Sequence, residues 1–172
     1  MTDALTADTP HASLGPLRPP TELPSHRAIW HWATQAAIGW MFVIAWPIAA
    51  SYILDHPPAW LYTIMTAEAI AAVLHVSVMP WWRYRVHRWE VSDEAAYTRV
   101  GWISYHYHIV PASRIQTVDI HRHALQRMFG LATVSVSTAH GGLMIDGLRL
   151  TDADQVADTL KSIIQATPGD AT

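Results

Sequence analysis

Cysteine is absent from the 172 residues, which excludes disulfides, thiolate zinc sites and a thiol nucleophile and leaves the redox compartment unspecified. A basic excess is missing as well. Eleven Lys and Arg against fourteen Asp and Glu leave a net charge of −3 with His neutral, unlike a general nucleic-acid binder. Phenylalanine is scarce, with two residues against nine Trp and six Tyr. Trp and Tyr join a polar handle to an apolar ring, which suits them to membrane–water interfaces. Neither a Gly-x-Ser-x-Gly elbow nor an HExxH helix occurs, and "HGG" at 140–142 lacks the Lys and following helix of a phosphate-cradling loop. No enzyme and no cofactor are expected.

What is present falls into blocks, within a length that suits about one ordinary domain. Residues 1–27, with "TPHASLGPLRPPTELPS", are polar and punctuated by proline. They lack the basic start and apolar core of a secretory signal, so a disordered tail is expected. "WATQAAIGWMFVIAWPIAASYIL" (32–54) has no charged residue in 23 positions. As a helix it is about 34 Å long, enough to cross a hydrocarbon core of about 30 Å. "DHPP" then breaks the chain, and "AWLYTIMTAEAIAAVLHVSVM" (59–79) supplies a second span. A connection this short makes an antiparallel hairpin of residues 28–80. Trp30, Trp32, Tyr52, Trp60, Trp81 and Trp82 border the spans as an aromatic belt. Arg27 precedes the first span and Arg83, Arg85 and Arg88 follow the second, while the connecting loop has neither Lys nor Arg. The positive-inside rule therefore puts both termini, and all that follows the hairpin, in the cytoplasm.

After residue 80 the hydrophobic period changes to two. "ISYHYHIV" sets Ile103, Tyr105, Tyr107 and Ile109 on one face and Ser104, His106, His108 and Val110 on the other. In "ATVSVS", Ala132, Val134 and Val136 are expected inward, with Thr133, Ser135 and Ser137 outward. "VGW" around Gly101 and "HGG" mark turns. At the end, Ala153, Val156, Ala157, Leu160, Ile163 and Ile164 share one helical stripe, with Thr151 as N-cap and Asp152 and Asp154 at the positive end of the dipole. The class is α+β: a transmembrane helical hairpin, antiparallel strands over 81–166, a closing amphipathic helix, and a disordered end at 167–172.

"WRYRV", the long run "VGWISYHYHIVPASRIQTVDIHRHALQRMFGLATVSVSTA", "IDGL" and the terminal helix resemble the bacterial pleckstrin-homology domains of the YdbS-like membrane proteins. The likeness covers Trp82 to about Gln165, and the two preceding helices fit the family's usual arrangement. It implies a PH-like sandwich or barrel of two packed antiparallel sheets with a C-terminal helix, in a bacterial inner-membrane protein, and it implies no enzyme. His106 and His108 depart from the Arg or Thr common at that strand in relatives, which argues against an anionic-lipid site there.

The candidate site residues are sorted by chemistry. Within "RIQTVDIHRHALQRMFG", Val118 and Ile120 are expected inward, Leu125 and Phe129 plug the core, and Gly130 ends a short helix. Arg114 and Arg127 then fix the connection by bonding carbonyls or pairing with Asp119. His106, His108, His121 and His123 form two i,i+2 pairs with metal-chelating or pH-sensing potential, without a clear third or fourth ligand. Arg83, Arg85 and Arg88 stand where anionic headgroups would be, each contributing about 1 kcal/mol, although positive-inside topology alone explains them. Glu68 lies near the middle of the second span, where an acid costs about 2.5–3.5 kcal/mol, and His75 is on nearly the same face. Pro47 lacks an N–H and frees the Val43 carbonyl, to which a protonated Glu68 would donate. The alternative is a polar group on a second protomer or another membrane protein. The function expected is an accessory or scaffold subunit of a membrane complex, partnered by a protein with a related PH-like domain or by itself. An anionic-lipid or envelope-stress module and a histidine-based sensor are the alternatives.

Overall fold

The computed structural model describes residues 20–101, 105–139 and 141–166. Ile103, Ser104, His140, the tail to residue 19 and the end from 167 lie outside them. The order is α1 (Arg27–Ile53), α2 (Ala59–Val86), β1 (Arg88–Val91), β2 (Ala95–Gly101), β3 (Tyr105–Pro111), β4 (Thr117–His121), α3 (Ala124–Phe129), β5 (Leu131–Thr138), β6 (Gly141–Arg149) and α4 (Leu150–Ala166).

Helices α1 and α2 form the expected antiparallel hairpin, long and apolar enough to cross a membrane. Only 6% of each apolar window is buried, so neither is the core helix of a globular domain. Pro47 and Pro80 both sit inside helices, and both rings are buried. The second helix passes Met79 and continues seven residues to Val86, bringing Trp81, Trp82, Arg83 and Arg85 onto its surface.

The strands form two three-stranded antiparallel meanders, β1–β2–β3 and β4–β5–β6. Between them lies a core that includes Ala96, Val110, Val134, Val136, Ile145 and Leu160. Val118 and Ile120 pack against it, as their alternation predicts. In β3 the face with Val110 is the inward one, since Tyr107 is exposed. Helix α4 closes one side of the second sheet through Ala153, Val156 and Leu160. It starts at Leu150 directly from β6. Thr151 is therefore inside the first turn, with its hydroxyl on Asp152 Oδ1 at 3.1 Å, and is not the N-cap.

Three further expectations are corrected. The tail does not run to residue 27: Pro20 to Ser25 lie extended on the domain. Glu22 exchanges backbone hydrogen bonds with Trp89 at 3.0 Å each way, and the Ser25 N–H donates to the Gly147 carbonyl at 2.8 Å. The reason is the edge strand β1, whose unpaired backbone groups are met by a proline-stiffened segment. Thr133 does not face solvent but is 8% exposed, because the outer face of β5 is covered by α3 and the start of α1. In α3 the fully buried side chain is Gln126, at 3% exposure. Leu125 stays half-buried, and Phe129 packs on Ala28, Trp32 and Leu131 rather than in the sandwich core.

Candidate functional site: the junction of hairpin and domain

Sequence places Asp146 in "LMIDGLRL", an acid among apolar neighbours on a strand. In the fold it points away from the sandwich core and gathers donors from four other elements. Its Oδ2 accepts from Trp32 Nε1 of α1 at 3.3 Å and Arg83 Nη2 of α2 at 3.2 Å. Its Oδ1 accepts from Thr133 Oγ1 of β5 at 2.8 Å and Gln126 Nε2 of α3 at 3.2 Å. Gln126 Nε2 also donates to Thr133 Oγ1 at 2.8 Å, and Gln126 Oε1 accepts from the His123 N–H at 3.1 Å. The network thus leaves neither end of the Gln126 amide idle, as a buried polar group requires.

Charge and aromatics reinforce this knot. The Arg83 guanidinium lies over the Trp32 ring, 4.4 Å from its centroid, while it pairs with Asp146. Both charged side chains keep partial solvent access, 30% for Arg83 and 23% for Asp146, so the pair is strengthened by its surroundings without being fully desolvated. Gly130 ends α3 in the left-handed region at φ 66°, and Gly147 follows Asp146 at φ 77°. The arrangement ties both helices of the hairpin to one sheet.

His87 borders the knot as C-cap of α2. Its N–H donates to the Arg83 carbonyl at 2.9 Å, and its ring lies 5.4 Å from that of Trp32. Burial first, and the Arg83 guanidinium second, lower its pKa to about 4, against an opposing pull from Asp146. Its buried Nδ1 has no hydrogen-bond partner among the described residues. The folded state therefore holds His87 neutral, whereas the unfolded chain takes up a proton near pH 6.5. Stability contributed by this group is present above pH 6.5 and is lost as pH falls toward 4, on the order of 3 kcal/mol. Acid unfolding of the purified chain is expected to move to lower pH in His87→Phe, measured by tryptophan fluorescence between pH 7 and 4.

The residues singled out from sequence are dispersed. Arg83 is inside the knot, Arg88 donates to the His87 and Tyr84 carbonyls at 3.0 and 3.4 Å, and Arg85 is exposed. They do not form one headgroup patch. Arg114, Arg127 and Asp119 are exposed, and among the described residues no ion pair joins them. Gly130 ends α3 as expected. His106 and His108 belong to the first sheet, His121 and His123 to the second sheet and its margin; the described residues hold no cluster of three metal-ligating side chains. His75 accepts from Trp40 Nε1 at 2.9 Å and so belongs to the hairpin contact. Stepping seven residues in opposite directions from that pair brings Pro47 level with Glu68. Glu68 Oε2 is buried and has no hydrogen-bond partner among the described residues, so the donation expected from it to Val43 is not formed there.

Asp146, Gln126, Thr133 and His87 are the residues that sequence reasoning passed over. The signal for Asp146 was there: an acid between Ile145 and Gly147 in an apolar strand demands donors.

A two-helix membrane hairpin docked through such a knot onto two antiparallel meanders and a C-terminal helix defines a membrane-associated PH-like protein. The family model described as Bacterial PH domain matches residues 27–163, and the chain belongs to that family. It is 29% identical over 136 residues to the UPF0699 transmembrane protein YdbS of Bacillus subtilis (strain 168), covering 78% of this chain and 84% of that protein. No solved structure matches it.

Proposed function

We propose that this protein is a non-enzymatic accessory or scaffold subunit of a bacterial cytoplasmic-membrane complex. Both termini and the PH-like domain face the cytoplasm in this reading, as the basic flanks of the hairpin support. Its partner is another membrane protein with a related PH-like domain, or a second copy. The observation that carries it is Glu68, whose buried Oε2 lacks a partner among the described residues in the middle of an apolar helix. Trp40 already occupies His75. A polar group at that depth is costly when left alone, and two helices have few groups to offer it. A donor from a neighbouring span resolves the cost and makes Glu68 the contact. The knot at Asp146 supports the scaffold part, because a domain tied to both helices is presented in one orientation.

The test is purification of the full chain from its native membrane in mild detergent, with identification of stoichiometric companions. A membrane partner or a second copy is expected. Glu68→Leu should weaken that association roughly tenfold, in line with about 1–2 kcal/mol for a hydrogen bond between spans, while Glu68→Gln retains most of it. Monomeric protein accompanied by lipid alone would overturn the proposal.

A further inference from the structure

A second contact surface lies beside the junction, and it does not depend on the partner proposed above. Helix α1 has 27 residues and is about 40 Å long, which matches a bilayer together with its headgroup layers, about 40–45 Å. Trp32 is already held in the domain by Asp146, so the turns from Arg27 to Trp32 occupy the headgroup layer on the domain side. Helix α3 stands against those turns. The Phe129 ring is 6.1 Å from that of His31, and Arg27 Nη1 is 3.1 Å from where a Cβ on Gly130 would sit. It is therefore at the depth of the headgroups.

What α3 presents at that depth is an apolar tip among cations. Met128 is 81% exposed, although Met is a residue that cores readily absorb. Arg127 precedes it on α3 and Arg122 lies just before the helix, both exposed, and Arg27 on α1 adds a third exposed cation. Asp119 on β4 is the exposed acid on the neighbouring strand. An exposed apolar side chain on a short helix that carries and adjoins exposed arginines fits the boundary where anionic headgroups meet acyl chains. We propose that α3 is a membrane-surface contact: Met128 enters the bilayer interface, and Arg122 and Arg127 bind anionic phospholipid headgroups. The PH-like domain is thereby seated on the leaflet next to its own hairpin. These residues replace the Arg83, Arg85 and Arg88 set, of which Arg83 and Arg88 are committed within the protein.

The absence of cysteine gives a direct test. Full-length Met128→Cys carries one environment-sensitive fluorophore and is reconstituted in phosphatidylcholine vesicles with or without phosphatidylglycerol. Asp158→Cys on α4, which covers the opposite side of the second sheet, is the reference. In anionic vesicles the label at 128 is expected to shift to the blue and to be quenched by a lipid-borne nitroxide, while the label at 158 is not. Each of Arg122→Gln and Arg127→Gln should lower the seated fraction relative to the lifted one about fivefold. A label at 128 no more quenched than that at 158 would overturn the proposal. So would equal shielding in lipid-free amphipol, which would mean that protein covers α3.

Discussion

Replacing Asp146 by Leu is expected to lower the stability of the full chain by about 3 kcal/mol and to loosen the domain from its hairpin. The size follows from what the carboxylate serves. Arg83 loses its ion pair and is left against Trp32 and a half-buried His87. Gln126 and Thr133, both nearly inaccessible, lose an acceptor. Removing one partner of a partly buried charge pair costs more than the pair was worth, because the survivor keeps its desolvation penalty. Urea or thermal unfolding in detergent measures the loss. Spin labels on α1 and α4 should then report a broadened interhelix distance, which a purely local defect would not produce. Adding Arg83→Met to Asp146→Leu should recover part of the stability, since it removes the stranded charge but not the three stranded donors, Trp32, Gln126 and Thr133.

Gly147→Val is the second large effect, with a loss of about 2–4 kcal/mol expected. The residue has φ 77°, a conformation a β-branched side chain strongly resists. The space is also taken. A Cβ there would stand 2.9 Å from Ala28 Cβ and 3.3 Å from Pro24 Cβ, so the first turn of α1 must move. The Gly147 carbonyl accepts from the Ser25 N–H, which ties the segment before α1 to the same spot. Faster hydrogen exchange at Ser25 and easier proteolysis between residues 20 and 27 are the expected readouts. Gly39 gives the contrast: nothing lies within 4 Å of a Cβ there, so Gly39→Ala should leave the chain unharmed.

These two positions show why local pattern finds the hairpin so easily and the junction so poorly. A run of 23 uncharged residues needs no tertiary context, because hydrocarbon is a uniform solvent and length alone meets its thickness. Strand alternation in "ATVSVS" is likewise a statement about one face, and Ala132, Val134 and Val136 are buried as it says. The other face is different. Thr133 looks like an outward residue until α1 and α3 arrive to cover it, and nothing within β5 announces that. Trp32 looks like a lipid-facing belt residue for the same reason; it is 3% exposed, packed against Ala28, Leu131 and Arg83, with its N–H on Asp146 more than a hundred residues later. Arg83 is drawn from the headgroups into the same knot.

From the sequence alone come the two spans, their antiparallel pairing, the change to strand period and the closing amphipathic helix, all set by short-range periodicity and composition, and the family likeness, which rests on the resemblance of the long linked run of residues. The tertiary structure decided which polar residues meet. Asp146 and Gly147 acquire their roles only when hairpin, α3 and second sheet are brought to one place, since hydrogen bonds and steric contacts act over a few ångströms in space whatever the separation along the chain.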